Sequence, residues 1–284
     1  MQNSKVEGTY FGANGSIRVK DKLLDLSVPR VMGIINITPD SFYSASRATS
    51  EVAIMSRVKD MLRDGADIID LGAYSSRPGA ATISEQEEMD RIVPVIQQLM
   101  EFDSSTALSI DTFRSKVAEE AIRNGASMIN DISGFQTDPE IINVAAKYQV
   151  PYVLMHMRGT PETMQSLTDY DNLFKDIARY FSIKIAELKS AGVKDIIIDP
   201  GFGFSKTLDQ NYELLDNLEA FHFLGHPILA GLSRKSMIYK KLNITPEEAL
   251  PGTIALNTIA LKKGASILRV HDVAAAVDLI RLLN

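Results

Sequence analysis

Four times in this chain a glycine is followed closely by a short apolar run that ends on a polar residue. Gly65-Ala66 leads to Ile68-Ile69-Asp70, and Gly125-Ala126 to Met128-Ile129-Asn130. Gly192-Val193 leads to Ile196-Ile197-Ile198-Asp199, and Gly264-Ala265 to Ile267-Leu268-Arg269. A glycine after a helical stretch is the usual residue just past a helix C-terminus, where the backbone turns left-handed. The apolar runs are too continuous for strands with one wet face, so they read as strands buried on both faces of a parallel sheet. Between successive copies there is room for one further strand and helix. Apolar runs at 31–35, 107–110, 151–155 and 227–231 fill those places. Eight strands alternating with helices specify an α/β fold, and the count favours closure into a (β/α)8 TIM barrel. An open doubly wound sheet is the rival. It would usually carry a glycine-rich phosphate turn after its first strand, and Asn36-Ile37-Thr38-Pro39 is not one.

The remaining segments fit that scheme. Helical spacing predicts helices over 50–64, 115–124, 170–190, 251–263 and 274–283, with another from Tyr212 to Phe221. Ser84-Glu85-Gln86-Glu87 is a capping box that starts a helix running to Met100. Ahead of the first barrel strand, residues 6–28 alternate apolar groups with turn chemistry. Ala13-Asn14-Gly15 lies between Thr9-Tyr10-Phe11 and Ile17-Arg18-Val19, which predicts a β-hairpin plugging the bottom of the barrel. No linker or low-complexity stretch interrupts the chain, so residues 1–284 read as one domain.

Composition excludes several functions. There is no cysteine, which removes disulfides, thiol catalysis and zinc-thiolate sites. The net charge of −6 has no basic cluster to offset it, arguing against a nucleic-acid or anionic-membrane surface. No apolar run approaches the roughly 18 residues of a membrane span, and the N-terminus carries no signal-peptide pattern, so a cytoplasmic protein is expected.

In a parallel barrel, ligands bind where the strands end. The strand ends here would gather Asn36, Asp70, Asp111, Asn130, His156, Asp199, Lys235, Arg269 and His271. Singly, each has a plain reading as a helix cap or a satisfied backbone partner. Together they form a mixed set, with carboxylates and amides suited to a heterocycle and cations suited to an anion. The pattern is not that of a His-rich zinc site or of a paired-carboxylate glycosidase.

Motifs along nearly the whole chain resemble those of dihydropteroate synthases, the pterin-binding enzymes of folate synthesis. They are Met32-Gly33-Ile34-Ile35-Asn36-Ile37-Thr38-Pro39-Asp40-Ser41-Phe42, Ser76-Arg77-Pro78-Gly79, Asp111-Thr112-Phe113, Asn130-Asp131-Ile132-Ser133-Gly134 and His156-Met157-Arg158-Gly159-Thr160-Pro161. After these come Asp199-Pro200-Gly201-Phe202-Gly203-Phe204-Ser205-Lys206, Ser233-Arg234-Lys235-Ser236 and Arg269-Val270-His271-Asp272, all in family order. Two places depart from the pattern. Tyr74 stands where the family has an acid in its second loop, and Tyr43-Ser44-Ala45-Ser46 replaces the usual Ser-Asp-Gly run.

The resemblance implies condensation of 6-hydroxymethyl-7,8-dihydropterin diphosphate with p-aminobenzoate, giving 7,8-dihydropteroate and diphosphate. It implies pterin contacts from Asp111, Asn130, Ile132, Met155, Asp199, Phe204, Lys235 and Arg269. Asn36, Ser76, Arg77, Arg269 and His271 would face the diphosphate, with Arg77 and His271 as added positive charge. Asn36 would hold Mg2+. Phe42, Pro78 and Ser233 would face p-aminobenzoate, and Asp40, Arg77, Lys235 and Arg269 would act in the chemistry. The loops 37–48 and 73–82 are expected to close as lids, and the resemblance implies a homodimer and a sulfonamide target. Two alternatives share a pterin site: a methyltetrahydrofolate-type methyltransferase, which would need a corrinoid partner, and a non-catalytic pterin-binding protein.

Overall fold

The computed structural model describes residues 15–37, 47–74 and 83–283. Its first element is a two-stranded antiparallel sheet, β1 (Ser16–Val19) and β2 (Lys22–Asp25). The barrel strands follow as β3 (Arg30–Asn36), β4 (Ile68–Gly72), β5 (Ala107–Asp111), β6 (Met128–Asp131), β7 (Tyr152–Met155), β8 (Ile196–Asp199), β9 (Leu229–Ala230) and β10 (Ile267–Val270). Between and after them come α1 (Arg47–Arg63), α2 (Glu85–Phe102), α3 (Ser115–Arg123), α4 (Ile141–Tyr148), α5 (Leu173–Ser190), α6 (Leu208–Asp216), α7 (Ser236–Leu242), α8 (Leu250–Lys262) and α9 (Val273–Leu283).

All eight barrel strands pair in parallel, in the order β8-β7-β6-β5-β4-β3-β10-β9. Ile198 bridges Ile228, and Ile198 N–H donates to the Pro227 carbonyl at 2.9 Å, joining the two ends of that order. The fold is therefore the (β/α)8 barrel expected from the repeat. The four repeat glycines have φ of +98° (Gly65), +122° (Gly125), +96° (Gly192) and +85° (Gly264). A side chain at those angles is strained, and a Cβ on Gly125 would also sit 2.5 Å from Met100 Cγ.

Two layers of apolar packing hold the barrel. The larger fills the space between strands and helices. The smaller lies inside the barrel, where Met32, Ile68, Met128, Val153, Ile197, Leu229 and Ile267 meet Ile17, Val19 and Leu26 from the N-terminal segment. The hairpin thus stoppers the bottom of the barrel. Burying each of those three side chains contributes about 1.5–3 kcal/mol. Because strand residues alternate in direction, the next inward positions above this apolar floor are Ile34, Asp70, Ser109, Asn130, Met155, Asp199, Gly231 and Arg269, five of them polar. A polar layer therefore rests on an apolar one, and it opens toward the C-terminal mouth.

The N-terminal hairpin expected within residues 6–28 is present as β1 and β2. Ile17-Arg18-Val19 pairs forward, with Ser16 opposite Asp25 and Val19 opposite Lys22. The turn joining β1 and β2 is Lys20-Asp21, with Lys20 at φ 55°, and a two-residue loop accepts a left-handed residue of this kind. Ala13 and Asn14 of the predicted turn lie outside the described residues. The predicted Thr9–Phe11 strand lies outside the described residues. Helices α4 and α7 were not foreseen. Helix α6 starts at Leu208, earlier than predicted, because Thr207 and Gln210 form a reciprocal capping box. Ser84 caps α2 as expected, accepting the Glu87 N–H at 3.1 Å. Among the described residues no helix is long and apolar enough to cross a membrane.

Candidate active site

Strand β4 is apolar except for Asp70, which is fully buried inside the barrel. A buried carboxylate requires donors, and β6 and β10, each two places from β4 in the barrel, supply them. Asp70 Oδ2 accepts from Arg269 Nε at 2.7 Å and from Asn130 Nδ2 at 3.0 Å. Arg269 reaches onward to Asp111, with Nη2 donating to Oδ2 at 2.6 Å. Four of the predicted strand-end residues thus form one hydrogen-bonded chain, Asn130–Asp70–Arg269–Asp111. Burial works against charge on Arg269, but Asp70 and Asp111 beside it raise its pKa further. Burial pushes the Asp111 carboxyl up, and the Arg269 guanidinium opposes that shift.

A second polar group stands across the barrel. Asp199 is buried, and its Oδ1 accepts the Gly201 N–H at 2.8 Å. Burial raises its pKa, against the pull of Lys235. Lys235 Nζ donates to the Phe202 carbonyl and lies 4.7 Å from the centre of the Phe204 ring. Burial lowers its pKa to about 8, with Asp199 holding it up. An apolar wall adjoins these groups: Ile132, Met155, Met157 and Met164, with Phe113 and Phe204 packed against them. The site therefore offers carboxylates, an amide and an ammonium beside a wall of methionine and phenylalanine, which suits a flat heterocycle with polar edges.

At the rim, Ser233 Oγ accepts the His271 backbone N–H at 3.1 Å and lies 3.0 Å from His271 Nδ1. Burial and the nearby Arg269 lower the His271 pKa to about 4. The guanidinium next to a desolvated imidazole opposes protonation of His271 in the ligand-free site. Asn36 ends β3 and is exposed at the mouth. His156 is not part of the mouth. It is buried with Nδ1 3.1 Å from Lys206 Nζ, its ring among Tyr170, Tyr180 and Phe181. Asp40, Phe42, Ser76, Arg77 and Pro78 lie outside the described residues, as does most of each predicted lid.

Three features were not read from the motifs. Lys206 is buried, and its Nζ is held by His156 Nδ1, the Gly201 carbonyl and the Phe204 carbonyl, which ties the β8 loop into one shape. Asp131 is buried and accepts from Tyr152 Oη and from the backbone N–H of Ser133 and Phe135, fixing the turn that carries Ile132. Tyr74 packs edge-on against Phe113, with the Arg114 guanidinium 5.6 Å from its ring centre. A lysine closing the glycine-containing loop Gly201-Phe202-Gly203-Phe204-Ser205 was the available signal for Lys206.

The pterin-binding enzyme family matches residues 32–271 of the chain. The chain belongs to this family. Within it, the relatives are dihydropteroate synthases, so the chain is an enzyme of that transferase class. The dihydropteroate synthase of Escherichia coli strain K12 is 43% identical over 263 residues, covering 92% of this chain and 93% of its own. That of Clostridium beijerinckii is 48% identical over 246 residues, covering 86% and 88%. Among solved structures, the Yersinia pestis dihydropteroate synthase with a sulfonamide drug superposes with TM-score 0.88 at 42% identity, covering 94% of this chain and 98% of its own. The Xanthomonas albilineans dihydropteroate synthase with 4-aminobenzoic acid gives 0.87 at 38%, covering 95% and 97%.

Proposed function

We propose that the barrel mouth joins 6-hydroxymethyl-7,8-dihydropterin diphosphate to p-aminobenzoate by a dissociative substitution. The observation that carries this reading is the pairing of a polar floor with an apolar wall. Asp199, Asn130, Asp111 and Lys235 stand beside Ile132, Met155 and Phe204 at the end of one barrel. A pterin edge presents adjacent N–H donors, and Asp199 accepts them as a fork. Asn130 and Asp111 read neighbouring ring atoms. Lys235 donates to the ring carbonyl while it is protonated, and Arg269 lies against the ring between floor and diphosphate. Ser233 and His271 flank the p-aminobenzoate and diphosphate sides of the rim; the family motifs assign Phe42 and Pro78 to p-aminobenzoate, Ser76 and Arg77 to the diphosphate, and Asp40 and Arg77 to the chemistry.

In the first step the bond between the pterin methylene carbon and the diphosphate oxygen breaks, and its electron pair leaves with the diphosphate. The ring delocalises the positive charge, and the Asp111 and Asp199 carboxylates stabilise it electrostatically. The arylamine lone pair then attacks the methylene carbon, and the amine loses its proton to solvent or to the departing diphosphate. A neutral arylamine is already nucleophilic, so the site needs no strong general base. The alternative is direct displacement, with both bonds partly formed at once.

Among the described residues no three His, Asp or Glu side chains gather to cage a metal. Mg2+ suits such a place when substrate phosphates supply most of its ligands, and the exposed amide oxygen of Asn36 fits as the protein's donor. Mg2+ bound there would neutralise charge on the diphosphate. A homodimer in the cytoplasm belongs to the same reading. Helix α8 buries Thr253, Asn257 and Ala260 and leaves Ala255 and Ile259 exposed, and that apolar outer face supports a partner there.

The test is turnover. Dihydropteroate and diphosphate should form in equal amounts, and only with both substrates and Mg2+ present. A protein that binds the pterin tightly without turnover overturns the reading in favour of a binding role.

A further inference from the structure

Asn130 can read a ring donor only if its carbonyl oxygen faces the ring. An amide side chain is nearly symmetric in shape, so nothing in its packing chooses between oxygen and NH2. The choice is made by whatever hydrogen-bonds it from behind. In this structure the group behind is Asp70, whose Oδ2 takes the Asn130 NH2 at 3.0 Å. A carboxylate accepts and cannot donate, so it admits only the NH2 end and turns the carbonyl oxygen away from itself. The same Oδ2 also takes Arg269 Nε at 2.7 Å. Asp70 is fully buried, its Oδ1 has no partner among the described residues, and β4 places it one layer above the apolar floor. A buried carboxylate with one oxygen unpaired is costly to keep. It serves here to set the orientation of two side chains on two other strands.

We propose that Asp70 is a positioning residue that locks the Asn130 amide with its oxygen toward the pterin and braces Arg269 beside it. This deepens the proposed function and rests on it, since it takes Asn130 to contact the ring. Two substitutions separate the orientation from mere bulk. Asp70→Asn can place its own carbonyl oxygen where Oδ2 stands, because two donors converge there, and so keeps the Asn130 amide oriented. Asp70→Ala removes the acceptor and frees the amide to reverse, which sets its NH2 against the donors of the ring.

The experiment is a double-mutant cycle read by calorimetry with a pterin that lacks the diphosphate, on the wild type, Asp70→Ala, Asp70→Asn, Asn130→Ala and Asp70→Ala with Asn130→Ala. Asp70→Ala should weaken binding about tenfold or more, the cost of a misdirected buried hydrogen bond. In the Asn130→Ala background the same change should cost clearly less, because only the part that acts through Arg269 remains. Asp70→Asn should bind within about threefold of wild type, the rescue that a purely structural role for the charge does not give. Equal losses in both backgrounds overturn the proposal, as does a tenfold loss in Asp70→Asn. Should Asp70→Ala not fold, exchange of the Asn130 side-chain NH2 protons decides the matter. Strong protection in wild type and in Asp70→Asn supports the lock, and rapid exchange in both refutes it. If Asn130→Ala alone leaves pterin affinity unchanged, the pterin assignment of Asn130 fails first, and the lock fails with it.

Discussion

Asp199→Asn is close to isosteric, and the structure says where its new NH2 must go. Asp199 Oδ1 already accepts the Gly201 N–H at 2.8 Å. The substituted amide keeps that bond by placing its carbonyl oxygen there, since the backbone group is a donor. Its NH2 then occupies the other position, facing the N–H donors of the pterin. A charge-assisted acceptor is exchanged for a donor set against donors. Losing a hydrogen bond to a charged group costs about 1.5–3 kcal/mol, or roughly 10- to 150-fold in affinity. Isothermal calorimetry with a diphosphate-free pterin reads this directly. The substitution also strips Lys235 of the carboxylate that sustains its charge. In the wild type, pterin affinity should fall as pH rises through about 8, where Lys235 loses its proton. In the variant that fall should come at lower pH. Affinity within about threefold of wild type, with an unmoved pH profile, would refute the assignment of Asp199 as the fork acceptor.

Asn36→Ala should weaken binding of the pterin diphosphate with Mg2+ and leave the diphosphate-free pterin nearly unaffected, so calorimetry with the two ligands separates the metal–diphosphate role from ring recognition. His271, lowered to about 4 from an ordinary 6.5, binds fewer protons folded than unfolded between those values. Its share of stability therefore grows as pH rises from about 4 to 6.5 and is lost on acidification. Imidazole NMR of the ligand-free protein should show a titration near about 4, and one near 6.5 would contradict the desolvation described above. Ile17→Ala should cost about 2–5 kcal/mol of stability by opening a cavity in the stopper at the bottom of the barrel, while KM for both substrates stays the same. A changed KM with unchanged stability would count against a purely structural plug.

The fold was legible because its signals are local and repeated. Gly65, Gly125, Gly192 and Gly264 each mark a helix end by a positive φ that other residues resist. The strands between them are apolar enough to exclude a wet face. Helix α4 was missed because Ile141–Tyr148 is short, and α7 because it starts directly after the motif residue Lys235. The expected N-terminal hairpin is present within residues 6–28, but the Lys20-Asp21 turn that joins β1 and β2 carries no strong turn signal and was not legible in the sequence. The site residues were visible singly, as polar groups at strand ends. Their connections were not. Nothing in the spacing of Asp70, Asp111, Asn130 and Arg269 reveals that one carboxylate holds two of the others. The lowered pKa of His271 was likewise hidden, since it comes from burial and from a guanidinium two residues away in sequence.

The central claim is that diphosphate departs before the arylamine bonds to carbon. A dissociative route takes the methylene carbon from tetrahedral to trigonal geometry in the transition state, whereas concerted displacement keeps it crowded by two partners. A secondary deuterium isotope effect at that methylene, measured in a single turnover with chemistry limiting, reports the difference directly. The account predicts a large normal effect. A value near unity would contradict it and assign the reaction to direct displacement.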